Sequence, residues 1–283
     1  MPFRHEALLY AGTDGLVAGS LPFIHAGLAA DEPVLVAAPE RSLEPVRAAL
    51  GEDADRVGFA RIADNPARII PFWRAFVDAH DGPVRGIGEP VHPDRDAAAL
   101  VECQLHEALL NVAFEDDFAL LCPYDTTALS DAVIHEAHRS HPRVGNAPSG
   151  VFRDAPLPLA PLPPPPSGAH VLGFDLGSLH DVRRFVEAHG GEPDFVLVVD
   201  ELAANSIRHG GGRGVLRLWT EDCSMVCDVR DRGSIENPLA GRQRPPEEAF
   251  GGRGLWIANS ICDLVQIRPG AVRVRIALPR PPA

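Results

Sequence analysis

The amino-acid sequence predicts two domains of different class, an α/β domain with a mainly parallel sheet followed by an α+β sandwich. Three observations carry this. Residues 1–153 alternate continuous apolar runs with helical patterns, the arrangement of strands buried on both faces and covered by helices. Residues 169–283 place alternating strands next to each other in sequence, beside a few amphipathic helices, which marks an antiparallel sheet with its helices on one face. Between them the stretch D-A-P-L-P-L-A-P-L-P-P-P-P-S, 154–167, holds seven prolines in fourteen residues. Proline removes amide donors and fixes φ, so 154–168 is expected to be an extended spacer at a domain boundary.

In the first domain the predicted strands are Ala7 to Ala11, Val34 to Ala38, Val57 to Ile62, Pro83 to Glu89 and Phe118 to Asp125. Helical patterns occupy Asp14 to Ala30, Glu40 to Leu50, Pro66 to His80, Asp96 to Phe114 and Thr127 to His138. The first strand-to-helix turn, A-G-T-D-G-L, offers amides to an anion at a helix N-terminus. A single G-x-x-G without lysine reads better as a tight turn. His135, His138 and His141 invite a metal reading, but H-E-A-H is not H-E-x-x-H, and Pro142 ends the helix near His141.

In the second domain Val171 to Phe174 reads as a strand and Leu179 to His189 as an amphipathic helix. The helix Asp194 to His209 follows, and Gly210 to Gly212 stop it. Gly214 to Thr220 and Cys223 to Asp231 are two strands joined by a short turn. A polar connection, Arg232 to Phe250, leads to the glycine-rich turn G-G-R-G, which opens a helix ending near Asp263, and L-V-Q-I-R and A-V-R-V-R-I-A-L close the chain as strands.

Charge and composition exclude several functions. The 26 basic residues, all arginine, face 39 acidic ones for a net charge of −13, and 23 of the acids lie within residues 1–153. Nucleic acid and anionic membrane are therefore unlikely partners on charge grounds. Without lysine there is no phosphate-loop lysine and no strand lysine of the eukaryotic kinase type. No run approaches a membrane span and the N-terminus lacks a signal peptide's regions, so a cytoplasmic protein is expected. Five scattered cysteines suggest neither a disulfide framework nor a zinc site, and Cys223 and Cys227 read as packing residues in a strand.

Chemistry concentrates in D-E-L-A-A-N-S-I-R-H-G. At helical spacing Glu201, Asn205 and His209 line one stripe of a helix. A carboxylate can accept a proton or position water, and an amide oxygen can hold a hard cation without adding negative charge. Asp231 ends a strand and precedes Gly233, placing an acid where the backbone turns and where a purine amino group could be accepted. Gly251, Gly252 and Gly254, with Arg253 among them, open a helix with amides able to wrap phosphates. Taken singly, each of these also reads as ordinary structure: a solvated helix face, an aspartate–glycine turn, a glycine-rich helix start.

Two family resemblances follow from these motifs. G-L-A-A-D-E-P-V-L-V before the second strand, A-L-L-C-P-Y-D in the fifth and S-H-P-R-V after the last helix resemble the MEDS sensory domain over about Phe3 to Val144. That family looks like a RecA-type ATPase core without its phosphate loop, and the resemblance implies sensing of small, often hydrocarbon-derived, ligands. E-x-x-x-N on a helix, D-x-G ending a strand, a long loop and G-x-G-L opening a helix resemble the GHKL ATPase superfamily over about Ala169 to Leu278. Within it the sequence looks closest to anti-sigma-factor serine kinases, and the fusion resembles an actinobacterial anti-sigma regulatory subfamily.

The second resemblance implies ATP with Mg2+ held at Asn205, Glu201 as general base, Asp231 recognising adenine beside Gly233, phosphate contacts from Gly251, Gly252, Arg253 and Gly254, and a lid at Arg232 to Phe250. It implies as partners a sigma factor and an anti-anti-sigma protein of the STAS type, and a homodimer is compatible with it. Two positions depart from the family pattern: Ile235 stands where a glycine is usual, and Ala271 where a threonine is common. These leave a non-catalytic, ATP-gated partner switch as an alternative. A sensor histidine kinase is another, with His106 in Q-L-H-E-A-L-L-N as a loose phosphoacceptor box, although the proline stretch occupies the place of the usual helical hairpin. A DNA-acting enzyme of the gyrase type is disfavoured by acidity and size.

Overall fold

The computed structural model describes residues 3–153, 160–246 and 252–278, and the chain divides into two compact units, 1–157 and 158–283. In the first, strands and helices alternate as β1 (Arg4–Tyr10), α1 (Gly12–Ala29), β2 (Val34–Ala38), α2 (Glu40–Leu50), β3 (Val57–Arg61), α3 (Ile69–Asp78), β4 (Val84–Gly88), α4 (Ala97–Ala113), β5 (Phe118–Asp125) and α5 (Asp131–Ser140). A small hairpin, β6 (Arg143–Val144) and β7 (Ala147–Pro148), completes the unit. The sheet order is β3-β2-β4-β5-β1-β6-β7, parallel throughout except for the β6–β7 pair. The α/β reading with a mainly parallel sheet therefore stands.

Local chemistry explains where the boundaries moved. Helix α5 begins at Asp131 rather than Thr127, because the Thr127 amide and hydroxyl both donate to Asp125 Oδ1, at 2.9 and 2.6 Å, closing a turn there. The β6–β7 hairpin was not foreseen. Its two-residue turn, Gly145 and Asn146, has φ of 56° and 67°, the left-handed pair that twists with flanking strands.

The core of this sheet shows why β4 carries glycine. A Cβ at Gly86 would stand 2.6 Å from the ring of Trp73, which is buried on α3. The indole occupies the space that a side chain on the strand would fill.

The second unit runs β8 (His170–Asp175), α6 (Leu179–Ala188), α7 (Pro193–His209), β9 (Arg213–Glu221), β10 (Ser224–Arg230), α8 (Arg253–Ile261), β11 (Leu264–Arg268) and β12 (Ala271–Ala277). Its sheet is antiparallel throughout, in the order β11-β12-β10-β9-β8. One core joins Phe195, Val199, Leu202 and Ala258 from the helices to Leu216, Cys227, Val229 and Val274 from the strands. This is the predicted α+β sandwich.

On the opposite side of β10, Asp228 and Arg230 are polar and paired. Asp228 is fully buried and accepts from Arg230 Nε at 2.7 Å and Arg273 Nη2 at 2.8 Å. The same Arg273 guanidinium lies 5.1 Å from the Trp219 ring centroid and donates to the Pro163 carbonyl at 2.7 Å. Arg268 Nε donates to the Ala160 carbonyl at 3.0 Å, and Leu162 is buried between these two anchors in sequence. The described part of the proline-rich stretch is thus strapped to the second unit rather than hanging free, because prolines leave their carbonyls unpaired and two arginines take them.

Cysteine positions also differ in part from expectation. Cys227 packs in the core, but Cys223 is exposed in the β9–β10 turn, where Asp222 and Cys223 have φ of 46° and 58°. Among the described residues no helix is long and apolar enough to cross a membrane.

Gly86→Ala should lower stability by about 1 to 3 kcal/mol, since the added methyl must displace a packed ring. Urea unfolding of the full chain checks this, and an unchanged midpoint would show that Trp73 has room to yield.

Candidate functional site

Helix α7 is fixed by its apolar stripe. Pro193 occupies the first turn, where its missing amide costs nothing, and Phe195, Val198, Val199, Leu202, Ala203 and Ser206 face the core. Glu201 and Asn205, each half-buried, lie on the adjoining stripe. His209 is exposed at the last turn.

The three sequence motifs meet at the ends of three elements. A Cβ at Gly254, in the first turn of α8, would lie 2.8 Å from Asn205 Nδ2 and 3.0 Å from Glu201 Oε2. A Cβ at Gly210 would lie 2.3 Å from Asp231 Cγ. One at Gly233 would lie 2.8 Å from the His209 carbonyl and 3.1 Å from Asp231 Oδ1. Helix α7 is therefore gripped at both positions by backbone that carries no side chain.

Hydrogen bonds lock the Asp231 turn. The Gly233 amide donates to Asp231 Oδ1 at 2.7 Å, the Asp231 amide to Gly270 O at 3.2 Å, and the Arg232 amide to Gly210 O at 3.0 Å. One carboxylate oxygen is held by its own turn. The turn in turn is fastened to α7 and to the β11–β12 loop.

Beside it opens a cavity of about 530 Å³ whose lining includes Asn205, His209, Asp231, Gly233, Ile235 and Gly252. Leu202, Val229, Leu255 and Val272 supply apolar wall. The volume and the mix of apolar wall with a few polar groups suit a cofactor-sized ligand. Gly252 has φ of 77° with nothing within 4 Å of its would-be Cβ, so there glycine serves the left-handed turn into α8 rather than space.

Of the predicted site residues, Asn205, Asp231, Gly233 and Gly252 line the cavity, whereas Glu201 and Gly254 meet Asn205 beside it and are outside its lining. Arg253 begins α8 and is exposed, outside the cavity lining. Gly251 and the end of the predicted lid lie outside the described residues. The described part of that loop is pinned on α8: Asn259 Nδ2 donates to Gly241 O at 2.8 Å, and Gly241, with φ of 73°, would clash with Leu255 if it bore a Cβ. Ile235 is 40% exposed and lines the cavity, as does Ala271.

Sequence reasoning missed Gly210 and Arg268. Gly210 read only as a helix stop, yet its φ of −99° is ordinary and its role is close approach. Arg268 lines the cavity and holds Ala160. An arginine in a strand carries no signal that would mark it.

The first unit has its own polar cluster at the carboxyl ends of its parallel strands, where open α/β sheets bind ligands. Tyr10 Oη donates to Glu89 Oε1 at 3.0 Å, and Arg41 Nη2 lies 3.8 Å from the same oxygen. Burial pushes the Glu89 carboxyl up, although hydrogen bonds from Ser42 and Tyr10 and the Arg41 charge act to lower it. At the A-G-T-D-G-L turn, which reads better as a tight turn than as an anion site, the Gly12 amide is taken by Asp125. Desolvation raises the Asp125 carboxyl, but Thr127, the Gly12 amide and Arg41 outweigh it and hold it below the usual carboxylate range.

The second unit is an α+β sandwich with a cofactor-sized cavity, and comparison with known families places both units. Residues 4–142 match the family model of the MEDS domain, described as the MEthanogen/methylotroph, DcmR Sensory domain. Residues 175–278 match that of the Histidine kinase-like ATPase domain. The chain therefore joins a MEDS domain to a histidine-kinase-like ATPase domain. No curated protein matches the sequence. A sensory domain fused to such an ATPase points to a signalling ATPase or kinase, and the ATPase fold implies ATP binding, typically with Mg2+.

Gly210→Ala should cost about 1 to 3 kcal/mol, because the methyl collides with the root of a short side chain that is tied into a turn. Urea denaturation measures it, and a loss under about 0.5 kcal/mol would mean that the Asp231 turn shifts freely.

Proposed function

We propose that this chain is an ATP-binding anti-sigma regulatory factor. Its N-terminal domain takes up a small-molecule signal. Its C-terminal domain sequesters a sigma factor, phosphorylates a serine on an anti-anti-sigma partner of the STAS type, or does both. What supports the reading is the meeting of Glu201, Asn205 and Gly254 beside a cavity lined by Asp231 and Gly233.

Bound Mg-ATP supplies the transferable phosphoryl group and its neutralising cation. Phosphoryl transfer needs mostly positioning and charge compensation from the protein, and each residue has a matching task. The Asn205 side-chain oxygen ligates Mg2+ without adding negative charge. Asp231, one oxygen held by the Gly233 amide, accepts the adenine amino group with the other, and Gly233 leaves space for the ring. Amides at Gly252 and Gly254, at the α8 N-terminus, would hold phosphate, with Gly251 and Arg253 assigned to the same task. Glu201 takes the proton of the incoming serine hydroxyl.

A non-catalytic partner switch is the second reading, and Ile235 favours it: a branched apolar side chain stands on the cavity lining, and Ala271 offers no hydroxyl there. The histidine-kinase reading is weaker. His106 is fully buried on α4, with Nδ1 2.6 Å from the Glu102 carbonyl, and a phosphoacceptor must meet solvent.

Thermal unfolding with and without Mg-ATP tests binding, and a native-state ligand at 100 times its Kd should stabilise by about 2.7 kcal/mol. No shift would sink both kinase readings. Labelled ATP incubated with the antagonist protein should then label a partner serine. A shift without transfer leaves the switch, and label on the protein's own histidine would favour the kinase of that type. Glu201→Ala should abolish transfer and keep the shift, whereas Asn205→Ala should lose the Mg2+-dependent part of it. Normal transfer by Glu201→Ala would remove that residue from the role of base.

A further inference from the structure

We propose that His5, Glu107, Cys122 and His141 form a closed four-ligand site for a divalent transition-metal ion, zinc foremost, inside the MEDS domain. The four come from different elements: the start of β1, the middle of α4, β5, and the residue just after α5. All are buried, and one ligand atom from each lies within 4.8 Å of every other. His5 Nε2 is 3.3 Å from Cys122 Sγ and 3.5 Å from Glu107 Oε2, and His141 Nε2 is 3.0 Å from Glu107 Oε2. Ligands bound tetrahedrally at about 2.0 to 2.3 Å stand roughly 3.3 to 3.7 Å apart. The cluster already has nearly the spacing of such a shell.

The surrounding hydrogen bonds aim lone pairs, not protons, at its centre. Asn111 Nδ2 donates to the carbonyls of Ala108 and Ser140, at 3.2 and 2.7 Å. Its Oδ1 is therefore the atom 3.1 Å from His5 Nδ1, which must carry the proton. His141 Nδ1 lies 2.8 Å from the Ala137 carbonyl, so it too donates. With Nδ1 as the donor, the tautomer of each ring that carries one proton turns the Nε2 lone pair toward Glu107 Oε2, 3.5 Å from His5 and 3.0 Å from His141.

Lone pairs facing a carboxylate in a dry interior repel unless a cation sits among them. Glu107 Oε1 has no hydrogen-bond partner, while Oε2 takes the Tyr124 hydroxyl at 3.4 Å and lies 3.0 Å from His141 Nε2. A divalent ion resolves the conflict, and imidazoles oriented by a carbonyl and an amide are the usual outer support of such a site. A thiolate with two imidazoles and a carboxylate suits zinc. With four protein ligands no coordination position is left for substrate, so the ion is structural: it ties β1, α4, β5 and the end of α5 together. This inference is independent of the nucleotide site.

The test uses the full chain, stripped with chelator under denaturing conditions, refolded, and titrated with Zn2+ or Co2+ alone. One ion per chain is expected, with a raised thermal midpoint and, for Co2+, a thiolate-to-cobalt charge-transfer band. Cys122→Ser should abolish the band. Asn111→Ala, which touches no metal, should weaken Co2+ binding by about 10- to 100-fold while leaving the band in place at saturation. Cys223→Ser, at the exposed thiol, should change nothing. The proposal is overturned if the wild-type chain binds neither ion and unfolds identically with and without chelator, for then the cluster is only a hydrogen-bonded one. It is overturned equally if the band survives Cys122→Ser and disappears in Cys223→Ser.

Discussion

The second unit depends on one steric constraint: α7 must meet a strand-end turn and another helix at distances that exclude a Cβ. Gly254 lets α8 approach Glu201 and Asn205, and Gly210 lets α7 end against Asp231. Neither glycine has a positive φ, so space is what these positions require. The contact does two things at once. It brings a carboxylate, an amide and backbone amides into one neighbourhood, and it anchors each through core or hydrogen-bonded backbone, which is how a site holds geometry without strain.

Both units also bury charge, and they do so differently. In the antiparallel sheet Asp228 is neutralised by two arginines, one of which also fixes the Pro163 carbonyl. A buried acid paired in this way is stable only with all its partners present. In the parallel sheet Glu89 is buried against Tyr10, and Glu107 against two imidazoles. The first cluster lies at the carboxyl ends of the strands, whereas all four residues of the second are buried.

Much of the site was legible because local sequence carries it. Glu201 and Asn205 are one helical turn apart, Asp231 and Gly233 make a two-residue turn, and Gly252 and Gly254 bracket a helix start. Each requires only neighbours in sequence. Gly210 and Arg268 were not legible, because their roles arise from residues on distant elements. His141 is the sharpest case. Beside His135 and His138 in sequence it suggested a helical metal motif that the spacing did not support. In the fold it leaves those two behind and joins His5, Glu107 and Cys122.

The sequence by itself determined the two fold classes, since apolar periodicity states whether a strand is covered on one face or two. It also determined the boundary region, through proline's missing donors, and the residues proposed for the ATPase-like site. Tertiary structure alone decided that part of the proline stretch is bound by Arg268 and Arg273. It decided as well that the Gly12 amide at the start of α1 is taken by Asp125, and that four scattered residues converge inside the first unit. The physical reason is common to all three: a hydrogen bond or a ligand shell between segments far apart in the chain leaves no mark of spacing, and is fixed only when packing brings those segments together.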